Sequence, residues 1–144
     1  MKFTGITTVV VGVLGLVWLS VVPDDAQAQK TQGKSRPAAT KYLMRGIMGT
    51  NCGSLGKLLK EAPADDEAWD AAACHAACLN EMSFLLMDDG RCPDGVWAEA
   101  AGQTLRAGTE AMMAAIESKD IDATKIAFKT VTSSCAACHK AHKK

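Results

Sequence analysis

Strand signals are what this chain has least of. Beyond residue 40, β-branched residues are sparse and no window alternates apolar with polar residues as a half-buried strand does. That argues against a sheet fold and removes the βαβ setting of a thioredoxin-type dithiol. An excess of one charge is also missing, since 16 Lys and Arg face 16 Asp and Glu. Nucleic acid or an anionic membrane would call for a basic surplus, so neither is expected as a partner. There is no internal repeat and no low-complexity tract. No serine or carboxylate pair stands in a recognisable nucleophile pattern, so hydrolysis has no support and the chain is not expected to be an enzyme.

What is present begins with an address. After Lys2, the run Ile6–Val22 is almost wholly apolar, and Ala26-Gln27-Ala28 is a small-x-small cleavage site. Positive start, apolar run and small-residue exit make residues 1–28 a secretory signal peptide. The alternative is an uncleaved anchor, but 17 apolar residues are short for roughly 30 Å of hydrocarbon. Cleavage leaves Gln29 to Lys144, with 15 basic and 14 acidic residues and all six cysteines. A periplasmic or otherwise exported protein meets an oxidising compartment, where cysteines serve as disulfides or cofactor attachments.

Residues 29–39 are polar, with Gly33 and Pro37, and read as a flexible leader. Residues 40–144 read as one all-α domain. Helix one runs from about Thr40 to Lys60, with Met44, Met48, Cys52, Leu55 and Leu59 on its inner stripe. Gly46, Gly49, Gly53 and Gly56 weaken it by about 1 kcal/mol each against Ala, which implies close packing on this backbone. Helix two starts at the acidic cap Asp65-Asp66-Glu67 and carries Trp69, Ala72, Ala76, Leu79 and Leu86. After "MDDGRCPDG", Asp94 caps helix three, whose stripe is Trp97, Ala101, Leu105, Gly108, Met112 and Ile116. Asp120 caps helix four, where Phe128, Val131, Cys135 and Cys138 share a face. Four such helices with short connections suit an up-down-up-down four-helix bundle.

The chemistry sits in "CAACH", Cys135 to His139. On a helix, thiols three apart face the same way, so each can form a thioether to one vinyl group of a haem, and His139 can reach the iron. A zinc site would want a second matching pair, and Cys74 and Cys78 are separated by three residues rather than two.

At these residues the chain resembles the class II c-type cytochromes, which include cytochrome c′. "KDIDATKIAFKTVTSSCAACHKAH" is similar to the last helix of that family, "GVWAEAAG" to the start of its third, and "MGTNCGSL" to part of its first. The resemblance spans about Lys41 to Lys143. It implies a four-helix bundle with one covalent haem c attached near the C-terminal end of helix four, Cys135 and Cys138 as attachment residues and His139 as axial iron ligand. It implies electron transfer with a redox partner protein or, alternatively, binding of nitric oxide or carbon monoxide at an open iron; it also makes a homodimer plausible. A gap-free alignment puts Arg45 where the family has an apolar residue facing the iron, which suggests a propionate contact for Arg45. Met44 or Met48 is the candidate sixth ligand. The second helix carries "ACHAACLNEM", whose two cysteines are not a general feature of the family.

The remaining cysteines, Cys52, Cys74, Cys78 and Cys92, allow three full pairings. Cys52 lies 11 residues before Pro63 and Cys74 lies 11 after it, so their heights match if helices one and two fold back there. Cys52–Cys74 leads, Cys78 competes, and Cys92 belongs to the far end of the bundle; small buried thiols are the other reading. His75 and His142 are expected to face solvent, Trp69 and Trp97 to pack in the core.

Overall fold

The computed structural model describes residues 31–143. The proposed signal peptide, residues 1–28, lies outside the described residues. Among the described residues, no helix is long and apolar enough to cross a membrane.

The fold is all-α, with four helical segments and no strand among the described residues. Helix α1 covers residues 40–58, α2 is Asp66–Leu85, α3 covers residues 95–117 and α4 is Ile121–His142. Three of the four starts are fixed by an aspartate. The side chains of Asp65, Asp94 and Asp120 accept hydrogen bonds from the backbone N–H of Ala68, Trp97 and Ala123, each at 2.9 Å. Each satisfies an N–H that the first turn leaves without a helical partner. The apolar stripes of α2 and α3 are buried throughout, from Trp69 to Leu86 and from Trp97 to Ile116.

Successive helices pack on one another, and polar pairs mark the contacts. Asn51 meets His75 between α1 and α2. Asn80 donates to Thr109 at 2.9 Å and Arg106 to Ser83 at 3.1 Å, joining α2 to α3. Ser134 donates to the Ala100 carbonyl at 2.8 Å, joining α3 to α4. Gly108 lets the last two approach closely, because a Cβ there would stand 3.1 Å from Val131 Cγ2 and 3.2 Å from Val131 N. In contrast, no Cα of residues 40–58 lies within 8 Å of a Cα of Ile121–His142.

Two stretches are wound more widely than an α-helix, with i→i+5 geometry: Met44–Gly49 in α1 and Ala98–Leu105 in α3. A wider turn rotates less per residue, so Met44 and Met48 do not stay in line. Met48 enters the core, whereas Met44 is half-buried.

Three expectations need correction. The glycines of α1 are not a general packing surface: a Cβ at Gly46 or Gly53 would meet nothing within 4 Å, and only at Gly56 does another helix come close, through Phe128 at 3.6 Å. The segment before α1 is tied down from Thr31 onward. Asp89, in the left-handed region at φ 58, accepts bonds from Ser35 N, Ser35 Oγ and Arg36 N. Buried Arg91 donates to the carbonyls of Ala38 and Arg36, and Thr40 is bonded to the Thr31 carbonyl. Asp89 and Arg91, which hold most of this polar segment, lie more than fifty residues from it, so composition did not reveal them. Finally, all six cysteines are free thiols, so Cys52 and Cys74 are not bridged.

Candidate haem-attachment site

The last three turns of α4 carry the candidate site. The N-cap at Asp120 starts the helix, and Thr124, Ala127, Val131, Ser134 and Cys138 form its buried side. This face is small and polar enough for Thr124 and Ser134 to bond backbone carbonyls, at 2.6 Å to Asp120 and 2.8 Å to Ala100. Cys135 and Cys138 follow one turn apart. Cys138 is buried and Cys135 half-buried, both against the apolar core. Burial pushes both thiols up to about 11. The Cys52 thiol of α1 adds to the shift at Cys135, while Cys135 and Asp94 add to it at Cys138. Both therefore stand protonated at neutral pH.

Beside them is a cavity of about 340 Å³. From α4 it is lined by Cys138, His139, His142 and Lys143, from α1 by Thr40, Lys41, Met44, Arg45 and Gly49, and from α3 by Trp97. The structure thus brings Cys138, His139, Met44 and Arg45 to one cavity, with Cys135 in the adjoining core. Met48 is not part of its wall. The widened turns contribute directly: Met44, Arg45 and Gly49 belong to one, and the other begins immediately after Trp97. Such turns recur at functional sites because they re-aim side chains without ending the helix.

Partial burial, and then the charge of Lys143, lower the pKa of His139 below the ordinary histidine value. The neutral imidazole, the form that binds a metal, is favoured. The mouth is cationic, with Lys41, Arg45 and Lys143 on its rim and no carboxylate among the described residues of its wall. Among the described residues, no three His, Cys, Asp or Glu side chains gather as a cage for a metal ion.

His142 is a functional candidate that sequence reading placed in solvent. It is 6% exposed, lies edge-on to Trp97 with ring centroids 5.4 Å apart, and sets Nε2 3.4 Å from Asp94 Oδ1. The only sequence signal was its spacing, one turn after His139 on the same face. His75 is likewise half-buried, held at 2.7 Å by Asn51 Oδ1. Trp69 and Trp97 are core residues as expected, and Trp97 N–H donates to the Leu86 carbonyl at 2.9 Å.

No protein-family model, curated protein or solved structure matches this chain.

Proposed function

We propose that this chain is an exported mono-haem c-type cytochrome of the cytochrome c′ type, an up-down-up-down four-helix bundle that carries electrons to or from a redox partner protein and is not itself an enzyme. One observation carries the reading. Cys138 and His139 share a cavity with Met44 and Arg45, along a seam where the backbones of α1 and α4 stay apart.

The residues present fit the group. Two thiols one turn apart on the inner side of a helix, followed by an imidazole, are the donor set of a c-type haem. The cavity, about 340 Å³, lies at the low end of the range for small-molecule sites, so a haem would fill it and extend along the α1–α4 seam. When bound, a haem supplies the one-electron ferrous–ferric couple. The chain's own residues do the rest. Cys135 and Cys138 would hold the group through two thioether links, and His139, its neutral ring favoured, would be the iron ligand. Lys41, Arg45 and Lys143 favour carboxylates at the mouth, and the Trp97 face excludes water from the inner wall.

A second reading, nitric oxide or carbon monoxide binding at an open iron, has one observation in its favour. Met48, one of the two candidate sixth ligands, is in the core and off the cavity wall, which leaves Met44 as the one such thioether among the described residues. The ferric and ferrous absorption spectra separate the two readings by spin state.

The test of the main reading is covalent colour. Protein exported by cells with haem-attachment machinery should be red, and its haem band should survive acid–acetone extraction. Cys135→Ser with Cys138→Ser should lose the band to the organic phase. A colourless, folded wild-type protein from such cells would sink the proposal.

A further inference from the structure

Balanced net charge hides an uneven distribution. Helix α4 has 22 residues, so its two ends stand about 33 Å apart. At its start Asp120 and Asp122 are exposed, and Lys119 beside them bonds Asp66 at 2.7 Å, which brings in the exposed acids that open α2. At its other end is the cavity mouth, with Lys41, Arg45 and Lys143 on its rim and Lys140 exposed next to His139. Among the described residues, no carboxylate pairs with any of these four cations. The carboxylates between α2 and α3 are engaged elsewhere: Asp88 with Arg36 at 3.7 Å, Asp89 with Ser35 and the charge of Arg91, and Asp94 with His142.

Helix dipoles account for the acids and for the two lysines of α4, since acids suit the N-terminal ends of helices and cations the C-terminal ends. They do not account for α1. Lys41 stands in its first turn, where a positive charge opposes the dipole, and Arg45 follows one turn on; the start of α1 has no first-turn acid and no side-chain cap. Between them Tyr42 is 61% exposed, with Lys41 Nζ 4.9 Å from its ring centroid. Tyrosine and arginine are residue types that protein interfaces favour.

We propose that this cationic end, through Lys41, Tyr42, Arg45, Lys140 and Lys143, docks an acidic protein surface, and that the redox partner is a protein of that kind. The partner's redox role rests on the cytochrome reading; the docking charges do not. At physiological salt the Debye length is about 8 Å, far less than the distance between the two ends, so an approaching partner feels one end and not the other. Steering therefore follows the local charge rather than the near-zero total. It brings the acidic surface to the mouth of the cavity that His139 lines. One aromatic ring gives contact to a protein but little apolar area to sink into a bilayer.

Two arms test this on the full mature chain. In the first, poly-L-glutamate is titrated at low salt and amide shifts are followed by nuclear magnetic resonance. This arm also runs on Cys135→Ser/Cys138→Ser, so its outcome is separate from that of the haem reading. Binding should weaken with salt and shift residues 41–45 and 140–143. Lys41→Glu/Lys143→Glu should abolish it and Lys41→Gln/Lys143→Gln should weaken it. Lys57→Glu/Lys60→Glu, the same charge change at the acidic end, should bind as wild type. In the second arm the ferrous haem protein gives one electron to anionic hexacyanoferrate(III), forming hexacyanoferrate(II), or to cationic tris(phenanthroline)cobalt(III), forming the cobalt(II) complex. At low salt Lys41→Glu/Lys143→Glu should slow the first reaction at least about tenfold, the lower end of electrostatic steering, and speed the second. Equal effects of the two glutamate pairs in either arm would overturn the local surface, as would no binding of polyglutamate at low salt. Tighter binding to phosphatidylserine vesicles than to polyglutamate would overturn it in favour of a membrane.

Discussion

Asn51 Oδ1 and His75 Nδ1 meet at 2.7 Å, one residue twelve before Pro63 and the other twelve after it. The pair fixes the register of α1 on α2. The two helices turn about the point where Pro63 breaks the chain, and equal heights meet. One residue away, Cys52 and Cys74 share the same height but are not bridged, since a single step rotates a helix by about 100°. Cys52 sits on the half-buried side beside Cys135, and Cys74 faces out. A double-mutant cycle with Asn51→Ala and His75→Ala should give a coupling of about 1 kcal/mol, the usual worth of a partly buried hydrogen bond. Chemical denaturation of the four proteins measures it. Zero coupling would mean that packing alone sets the register.

The two methionines of the widened turn should separate structure from site. Met48→Ala empties a buried position and should cost about 2–5 kcal/mol of stability. Met44→Ala trims the cavity wall and should cost less while altering the ferric spectrum. Loss of a weak far-red band in Met44→Ala would assign the thioether as sixth ligand. Spectra unchanged by Met44→Ala, with ready nitric oxide binding, would assign the open site.

At Gly108 α3 comes close to α4. Gly108→Ala puts a methyl group 3.1 Å from Val131 Cγ2 and 3.2 Å from the Val131 nitrogen, contacts that the backbone cannot relieve without shifting. Overpacking of this kind costs about 1–3 kcal/mol, more than the gain in helix propensity returns. Thermal denaturation should show a clear loss, whereas Gly53→Ala, with open space around it, should be neutral or stabilising.

Acid should weaken the haem-free protein through His139. Its folded-state pKa lies below the ordinary value, so the unfolded chain binds the proton first as pH falls. The neutral ring's contribution is fully present above about pH 6.5 and disappears as pH drops through the lower folded value. Denaturation of Cys135→Ser/Cys138→Ser between pH 8 and 5 should show this decline, and adding His139→Gln should flatten it. The effect is small because the ring is largely exposed. An unchanged slope would remove His139 from the balance.

The sequence made most of the helices legible because caps and stripes are local. Asp65, Asp94 and Asp120 stand where the first turns need acceptors, and the stripe from Trp97 to Ile116 is buried at every named position. The "CAACH" motif was legible for the same reason, being a spacing within one helix. The missed features depend on residues far away in sequence. His142 is covered by Trp97 of another helix, and Arg36 is held by Asp89. The widened turns were missed for a different reason: Met44–Gly49 has no composition that sets i→i+5 winding apart from i→i+4.

The separation of α1 from α4 also bears on how quickly the chain organises itself. Among the described residues, backbone contacts join each helix to its sequence neighbour, and α1 and α4, whose pairing would close the longest loop, stay apart. Folding is faster when contacting residues are near in sequence, because long loop closures are entropically unfavourable. The chain can therefore bring α1, α2, α3 and α4 together in order without first joining α1 to α4. The α1–α4 seam needs no backbone closure of its own, so the cavity beside Cys138 is accessible while the helices pair.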